Sequence, residues 1–448
     1  MTSTLALNFP TPTPNPSPQG GRERRRGACP GLSAPMPTGD GLLVRLLPGG
    51  TIALDAFRRL CAAAREHGNG IVEVTARGSI QIRGLSAASA PRFADAIASL
   101  NIAADDAIPV LCNALAGLDP DEILDADRLA AALRQALSKT SLAARLAPKV
   151  SVAIDGGGTL RLDGLAADVR LSATSVRDGA VLRIGVGGDG ASATELGAVA
   201  PQDGIDAAAR LLEVIARGGR SARARDVIAA NGIAAFRAAV ADLLISDASP
   251  GNSSNAGEPI GTHRLRDGAL VLGIGLAFGH ADAVALERLS EAARVLGATG
   301  LRGAPGRTLM IIGLADEGAP RFAATAERLG FIIRADDPRR HVIACAGAPI
   351  CSSAHIAARA IAPQIAAIAA PQLGPKFDIH ISGCAKGCAH ARTAALTVVG
   401  TPQGCALIAD GSVRESPFAT VAGDELPAAI EQYVRARRRE GSQKDHHV

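Results

Sequence analysis

Residues 40–85 read DGLLVRLLPGGTIALDAFRRLCAAAREHGNGIVEVTARGSIQIRGL, and residues 267–314 read DGALVLGIGLAFGHADAVALERLSEAARVLGATGLRGAPGRTLMIIGL. Gly41 and Gly268 stand 227 positions apart; Phe57 and Leu286, Leu60 and Leu289, Gly68 and Gly297, and Gly84 and Gly313 stand 229 apart. Further on, Leu146-Ala-Pro-Lys149-Val-Ser-Val-Ala-Ile-Asp155 is answered, 227 positions later, by Leu373-Gly-Pro-Lys376-Phe-Asp-Ile-His-Ile-Ser382. A period of that size is a duplicated domain and not a solenoid repeat.

Each copy carries the same local signals. A strand (Leu42–Leu46, Leu270–Ile274) leads into an amphipathic helix, on which Leu54, Phe57, Leu60 and Cys61 share a face and Gly68 closes the end. Cys61 is therefore expected in the core. Two strands follow in the first copy, Ile71–Thr75 and Ser79–Arg83. The βαββ order predicts an α+β fold in which two ferredoxin-like half-domains pair, each followed by an α/β domain. The expected boundaries are an unordered arm over 1–26, half-domain 1 over 27–99, α/β domain 1 over 100–245, and a Ser/Gly/Asn-rich linker over Ser246–Glu258. Half-domain 2 then covers 259–330, α/β domain 2 covers 331–440, and 441–448 is a tail.

The copies differ in their chemistry. Alternation along Ser79–Arg83 places Ile80 and Ile82 on one face and Ser79, Gln81 and Arg83 on the other, with Arg77 in the same parity. At an offset of 229 the second copy has Gly306, Thr308, Met310 and Ile312 instead. The first copy thus offers an anion-binding face, against the plainer reading of a solvated surface strand. The second copy holds Cys345-x5-Cys351 and, after 32 intervening residues, Cys384-x3-Cys388. Positions 227 residues earlier are Leu118, Leu124, Gly157 and Arg161, so this set has no equivalent in the first copy. Four thiols in two short pairs suit a [4Fe–4S] cluster. C-x5-C is wide for a zinc knuckle, although zinc or disulfides would also use paired cysteines. A helix is expected from Ser352, with Ser352 or Ser353 as N-cap, so that its positive end faces the cluster. Gly383 and Gly387 would let backbone N–H groups approach the sulfurs, and Lys386 adds a cation.

Composition narrows the function. The chain has 448 residues, 47% hydrophobic and 20% charged, with no Trp, one Tyr (Tyr433) and a net charge of +4. Base-stacking platforms and a basic nucleic-acid footprint are therefore not expected. The most apolar stretch, Ile356–Leu373, is interrupted by Arg359, Pro363 and Pro371 and reads as a buried helix, so no membrane partner is expected. The N-terminus lacks the basic-then-apolar order of a secretory signal and could be an over-long gene call; Arg24, Arg25 and Arg26 read as solvated. A reducing cytoplasm suits exposed cluster ligands. Gly185–Gly190 reads as a turn and not as a dinucleotide fingerprint.

The double cysteine motif, the T-x-R-G-S-I-Q-I-R-G strand, the V-R-L-L-P-G-G segment and the duplication together resemble the sirohaem-dependent nitrite and sulfite reductase superfamily, over nearly the whole chain from about Gly27. Within it, G-A-C-P-G-L-S-A-P-M-P-T-G-D-G-L-L-V-R and the compact length are similar to the precorrin-3B synthase branch, from oxygen-dependent cobalamin synthesis. The resemblance implies that Cys345, Cys351, Cys384 and Cys388 ligate a [4Fe–4S] cluster, Cys388 being the one that bridges to haem iron in sirohaem members. It implies that Arg77 and Arg83, with Gln81 on the same face, pair with tetrapyrrole carboxylates, as guanidinium geometry favours. Arg45 and Lys149 match positions facing the small anion of the reductases. Sulfite reductases carry an Arg shortly before V-L-C, where this chain has Ile108 and Pro109 before Val110-Leu111-Cys112. That difference favours a tetrapyrrole as substrate over sulfite or nitrite.

The implied reaction is monooxygenation of precorrin-3A with O2 to precorrin-3B, by hydroxylation at a meso carbon and γ-lactone closure. Electrons would come from a reduced pyridine nucleotide through an electron-donor protein. The branch is also associated with a mononuclear non-haem iron, for which His355, His380 and His390 are candidates, each also readable as structural. Two alternatives stand beside it. One is a sirohaem-dependent nitrite or sulfite reductase; the other is a non-catalytic electron-transfer or tetrapyrrole-carrier protein.

Overall fold

The computed structural model describes residues 30–444 apart from 101, 103–107, 178, 246–256, 370–377 and 391, with side chains described up to 438. The expected arm, most of the linker, the far end of the tail and Lys376 lie outside the described residues. The described residues form four five-stranded sheets, two for each copy.

The first sheet runs Met36–Thr38, Gly41–Leu46, Ile80–Leu85, Ile71–Val74 and then His280–Asp282; the second runs Gly261–Arg264, Leu270–Gly275, Thr308–Leu314, Gly300–Ala304 and then Ile52–Ala53. Each sheet is thus completed by a short strand from the other copy. His280 pairs with Glu73 and Asp282 with Ile71, while Ala53 pairs with Gly300 and Ile52 with Leu301. The exchange covers an edge in each sheet that would otherwise expose unpaired backbone groups. The hairpin turns of the two sheets meet, and Gly306 N–H donates to the Ala76 carbonyl at 3.1 Å. A Cβ on Gly303 would fall 2.0 Å from the Gly78 carbonyl oxygen, so the crossing requires glycine.

The helices Leu54–His67 and Ala283–Val295 pack against each other between these sheets. Phe57, Leu60, Cys61, Ile80 and Ile82 share one core with Leu286, Leu289, Leu309 and Phe322. Burial of each large side chain contributes about 1.5–3 kcal/mol, so neither half has a complete core without the other. Cys61 is fully buried and its thiol is pushed above the usual range by burial.

The α/β segments repeat a second topology. Val110–Cys112, Val152–Asp155 and Ala167–Val176 are parallel and continue antiparallel into Gly179–Gly188 and Thr194–Val199. Val342–Ala344, Ile379–Ser382, Ala394–Thr401, Gly404–Gly411 and Ala419–Val421 repeat that order. Helices Ala126–Ser138 and Ala358–Ala369 make the corresponding crossovers, and each sheet has its own core. The strand–helix alternation needed for parallel pairing supplies these crossovers. Among the described residues, no helix is long and apolar enough to cross a membrane.

Candidate functional site: a thiol cluster facing a guanidinium network

The parallel pairing of Ala344 with Ile381 brings the C-terminal ends of two strands side by side, and both cysteine pairs lie in the loops that follow. Gly383 N–H donates to Cys345 Sγ at 3.0 Å. Cys351 N–H donates to the Gly347 carbonyl at 2.7 Å, and His355 N–H to the Gly383 carbonyl at 2.7 Å. Lys386 Nζ donates to Ser353 Oγ at 2.8 Å, tying the two loops at their tips. Cys345, Cys351 and Cys384 are half-buried, Cys388 is exposed, and all four are free thiols.

The thiols sense one another. Burial pushes the Cys345 thiol up, opposed by the Gly383 and Gly347 N–H groups and reinforced by Cys351 and Cys384. Burial also raises Cys388, reinforced by Cys384 and Cys351 and opposed by Lys386 and Lys149. Crowded thiolates repel one another, and a bound metal centre removes that penalty because ligation requires the thiolate form. Backbone donors at the sulfurs are the hydrogen bonds that tune such a centre. The donor set therefore fits an iron–sulfur cluster. Among the described residues, no three His, Cys, Asp or Glu side chains are arranged to hold a single metal ion.

Two expectations about this region need correction. The helix begins at Ala358 and not at Ser352. The intervening backbone is committed to loop contacts: His355 N–H to Gly383, and the Ile356 carbonyl accepting from Ala348 N–H at 2.8 Å. Ser352 and Ser353 are not caps, and no helix start adjoins Cys351. The offset of 227 also holds only for the second cysteine pair. The strand before the first pair, Val342–Ala344, matches Val110–Cys112 at an offset of 232, because the first copy has five more residues between its first two parallel strands. The true counterparts of Cys345 and Cys351 are Asn113 and Asp119, not Leu118 and Leu124.

With that register, the first copy holds a side-chain network where the second holds thiols. Gly156 N–H donates to Asn113 Oδ1 at 2.7 Å, as Gly383 N–H donates to Cys345 Sγ. Asn113 Nδ2 donates to Asp155 Oδ1 at 3.0 Å and to the Leu160 carbonyl at 2.7 Å. Thr159 N–H and Oγ1 donate to Asp119 at 2.6 and 3.1 Å. Buried loop N–H groups require partners; here an amide and two carboxylates provide them.

The arginine face lies against the cysteine loops. A Cβ on Gly39 would fall 2.5 Å from the Pro349 carbonyl oxygen, which shows how closely the first copy approaches the Cys345–Cys351 loop. Arg83, 5% exposed, donates to the Ile350 carbonyl at 3.2 Å, one residue before Cys351. Its guanidinium lies 3.3 Å from Asp40 and 3.9 Å from Glu73. Arg45 donates from Nε and Nη2 to Gln81 Oε1 at 2.9 and 2.6 Å, and Gln81 Nε2 donates to Glu73 Oε2 at 2.7 Å. Glu73 also accepts from Arg359, in the helix that follows the first cysteine loop.

Arg45, Gln81 and Arg83 are thus brought together. Lys149 is within electrostatic reach of Cys388. Arg77 turns away from the other three, donating to Ser151 Oγ at 3.3 Å and to the Ala166 carbonyl at 2.9 Å in the first α/β unit. Glu73 and Arg359 were missed, yet each is a charge inside an otherwise apolar run. A third missed residue, Arg307, donates to the Ala389 carbonyl at 3.1 Å and so supports the second cysteine loop. His380 is fully buried with no partner for either ring nitrogen among the described residues, and its ring centroid lies 5.6 Å from that of His390. Burial, followed by His390 and Arg307, lowers its pKa to about 4, so it is neutral.

Comparison with known proteins settles the family. A precorrin-3B synthase from Sinorhizobium sp is 38% identical over 412 residues, 92% of this chain and 88% of that protein. The chain belongs to the precorrin-3B synthase family. Residues 34–100 match the nitrite/sulfite reductase ferredoxin-like half domain, and residues 103–245 match the nitrite and sulphite reductase 4Fe-4S domain. The second match falls on the copy that carries Asn113 and Asp119; the four cysteines lie in its duplicate. A sulfite reductase [ferredoxin] 2 from Mycolicibacterium paratuberculosis is 23% identical over 164 residues, 35% of this chain and 30% of that one. The structure of Mycobacterium tuberculosis NirA protein aligns with a TM-score of 0.74 at 22% identity, covering 88% of this chain and 80% of that one, and so shares its fold. The chain is thus an iron–sulfur oxidoreductase with a duplicated α+β nitrite/sulfite reductase architecture.

Proposed function

We propose that this chain catalyses the precorrin-3B synthase reaction, an O2-dependent monooxygenation of precorrin-3A with γ-lactone closure. The observation that carries the reading is the Arg83 hydrogen bond to the Ile350 carbonyl. It supports the reading because Arg83, on the face proposed to pair with carboxylates, bonds one residue before Cys351. Cys345, Cys351, Cys384 and Cys388 would hold a [4Fe–4S] cluster, which supplies single electrons when bound.

Arg45, Arg83 and Lys149 would pair with carboxylates of the tetrapyrrole, whose negative charge suits guanidinium and ammonium donors. Gln81 orients Arg45 through two hydrogen bonds, while Arg77 is held to the first α/β unit at Ser151 and the Ala166 carbonyl. Ile108 is buried in the core of that unit, so no anion ligand comes from the position where sulfite reductases have Arg. Electrons would arrive from a reduced pyridine nucleotide through a donor protein, since Gly185–Gly188 lies within a strand and not at a strand–helix turn.

Anaerobically purified protein should contain about four iron and four acid-labile sulfide per chain. It should show a broad cluster shoulder and convert precorrin-3A only when O2 and a reductant are both present. Strong sirohaem bands would favour the reductase reading, and binding of precorrin-3A without product would favour the carrier reading.

A further inference from the structure

The carboxylate of Glu73 occupies an unusual position. It lies in the Ile71–Val74 strand, opposite Gln81 on one side and His280 on the other, and is buried. Its Oε2 accepts from Gln81 at 2.7 Å, its Oε1 accepts from Arg359, and Arg83 lies 3.9 Å away. Through Gln81 it also reaches Arg45. Within 4.0 Å among the described residues, the acids beside Arg83 and Arg359 are Glu73 and Asp40. Arg83 and Arg359 share these two carboxylates, while Arg45 reaches Glu73 only through Gln81 and has no carboxylate within 4.0 Å among the described residues. The Nε atoms of Arg83 and Arg359 are buried and without a partner among the described residues. Such a network is incompletely neutralised and calls for a further anion.

We propose that Glu73 is a positioning residue for the tetrapyrrole carboxylates. It holds Gln81 and Arg83 in place and fastens them, through Arg359, to the helix that follows Cys351. The guanidinium face and the cysteine loop are then tied together although they belong to different copies. Neither family resemblance nor strand parity singles out Glu73; its three-way contact does. The inference rests on reading this face as the tetrapyrrole site.

The test uses the full-length holoprotein and the variants Glu73→Gln and Glu73→Asp. Glu73→Gln keeps the size but brings an amide donor against Gln81 and Arg359. Its Kd for uroporphyrin III, a polycarboxylate tetrapyrrole, should rise about tenfold, the order set by one lost charge-assisted hydrogen bond. KM for precorrin-3A should rise in parallel while kcat stays within about twofold. Iron and sulfide content should be unchanged, and Glu73→Asp, which keeps the charge, should recover binding to within about threefold of wild type. Wild-type-like binding by Glu73→Gln, loss of iron from it, or a fall in kcat with unchanged KM would each overturn the proposal. If wild type binds uroporphyrin III but does not convert precorrin-3A, the proposed reaction fails while the binding comparison still decides the role of Glu73. If wild type binds no tetrapyrrole, both fail.

Discussion

Replacing Asn113 by Ala isolates what the first copy substitutes for a cluster. The Asn113 side chain makes three buried hydrogen bonds, to Gly156 N–H at 2.7 Å, Asp155 at 3.0 Å and the Leu160 carbonyl at 2.7 Å. Ala at this position leaves a buried N–H and a buried carbonyl without partners, at about 1–3 kcal/mol each. Asp155 retains Gly157 N–H and Leu162 N–H, at 2.9 and 2.6 Å, so its loss is small. The expected destabilisation is about 2–6 kcal/mol, a large share of the roughly 5–15 kcal/mol that holds a domain folded. Urea unfolding followed by far-UV circular dichroism reads it, with iron content measured on the same samples. Because the thiols lie in the other copy, iron should not change. A loss below about 0.5 kcal/mol, the size of an ordinary surface substitution, would refute the network's structural role. Loss of iron would refute the assignment of the cluster to the second copy alone.

Other consequences can be checked in parallel. Cys384→Ser should abolish the cluster absorption, the iron and the activity together, because a hydroxyl does not replace a thiolate ligand. Arg83→Ala should retain the iron and weaken tetrapyrrole binding by about 1.5–3 kcal/mol, the worth of a hydrogen bond to a charged group, read by absorbance titration. Burial, followed by repulsion from Arg359, lowers the pKa of His280 to about 4. Below pH 6.5 the unfolded state therefore takes up the proton first, and stability falls as pH drops through the folded value. At pH 5 this one group should have removed about 2 kcal/mol relative to pH 7, and a urea midpoint unchanged between those two pH values would contradict its neutral burial.

Much of the architecture is legible in the sequence, since duplicated apolar periodicity and paired glycines mark both copies. The exchanged strands are not. Ile52–Ala53 and His280–Asp282 have two and three residues and gain their partners only from the other copy. Likewise, the correct counterparts of Cys345 and Cys351 depend on strand register, which a five-residue length difference hides from a fixed offset. The helix expected at Ser352 fails because tertiary hydrogen bonds from His355 and Ile356 outweigh local propensity. Glu73, between Val72 and Val74, and Arg359, in the apolar stretch Ile356–Leu373, could have been flagged as buried charges needing partners. Arg77 shares the parity of Arg83 but precedes the Ile80–Leu85 strand, so alternation does not fix its direction.

In the proposed arrangement, the cysteine cluster of one copy faces a tetrapyrrole held by the other. Electron paramagnetic resonance of the anaerobically reduced protein, with and without saturating precorrin-3A, tests it most directly. The account predicts a cluster signal that shifts when the tetrapyrrole binds and that requires a higher tetrapyrrole concentration to shift in Arg83→Ala. A cluster signal unchanged at saturating tetrapyrrole would contradict it.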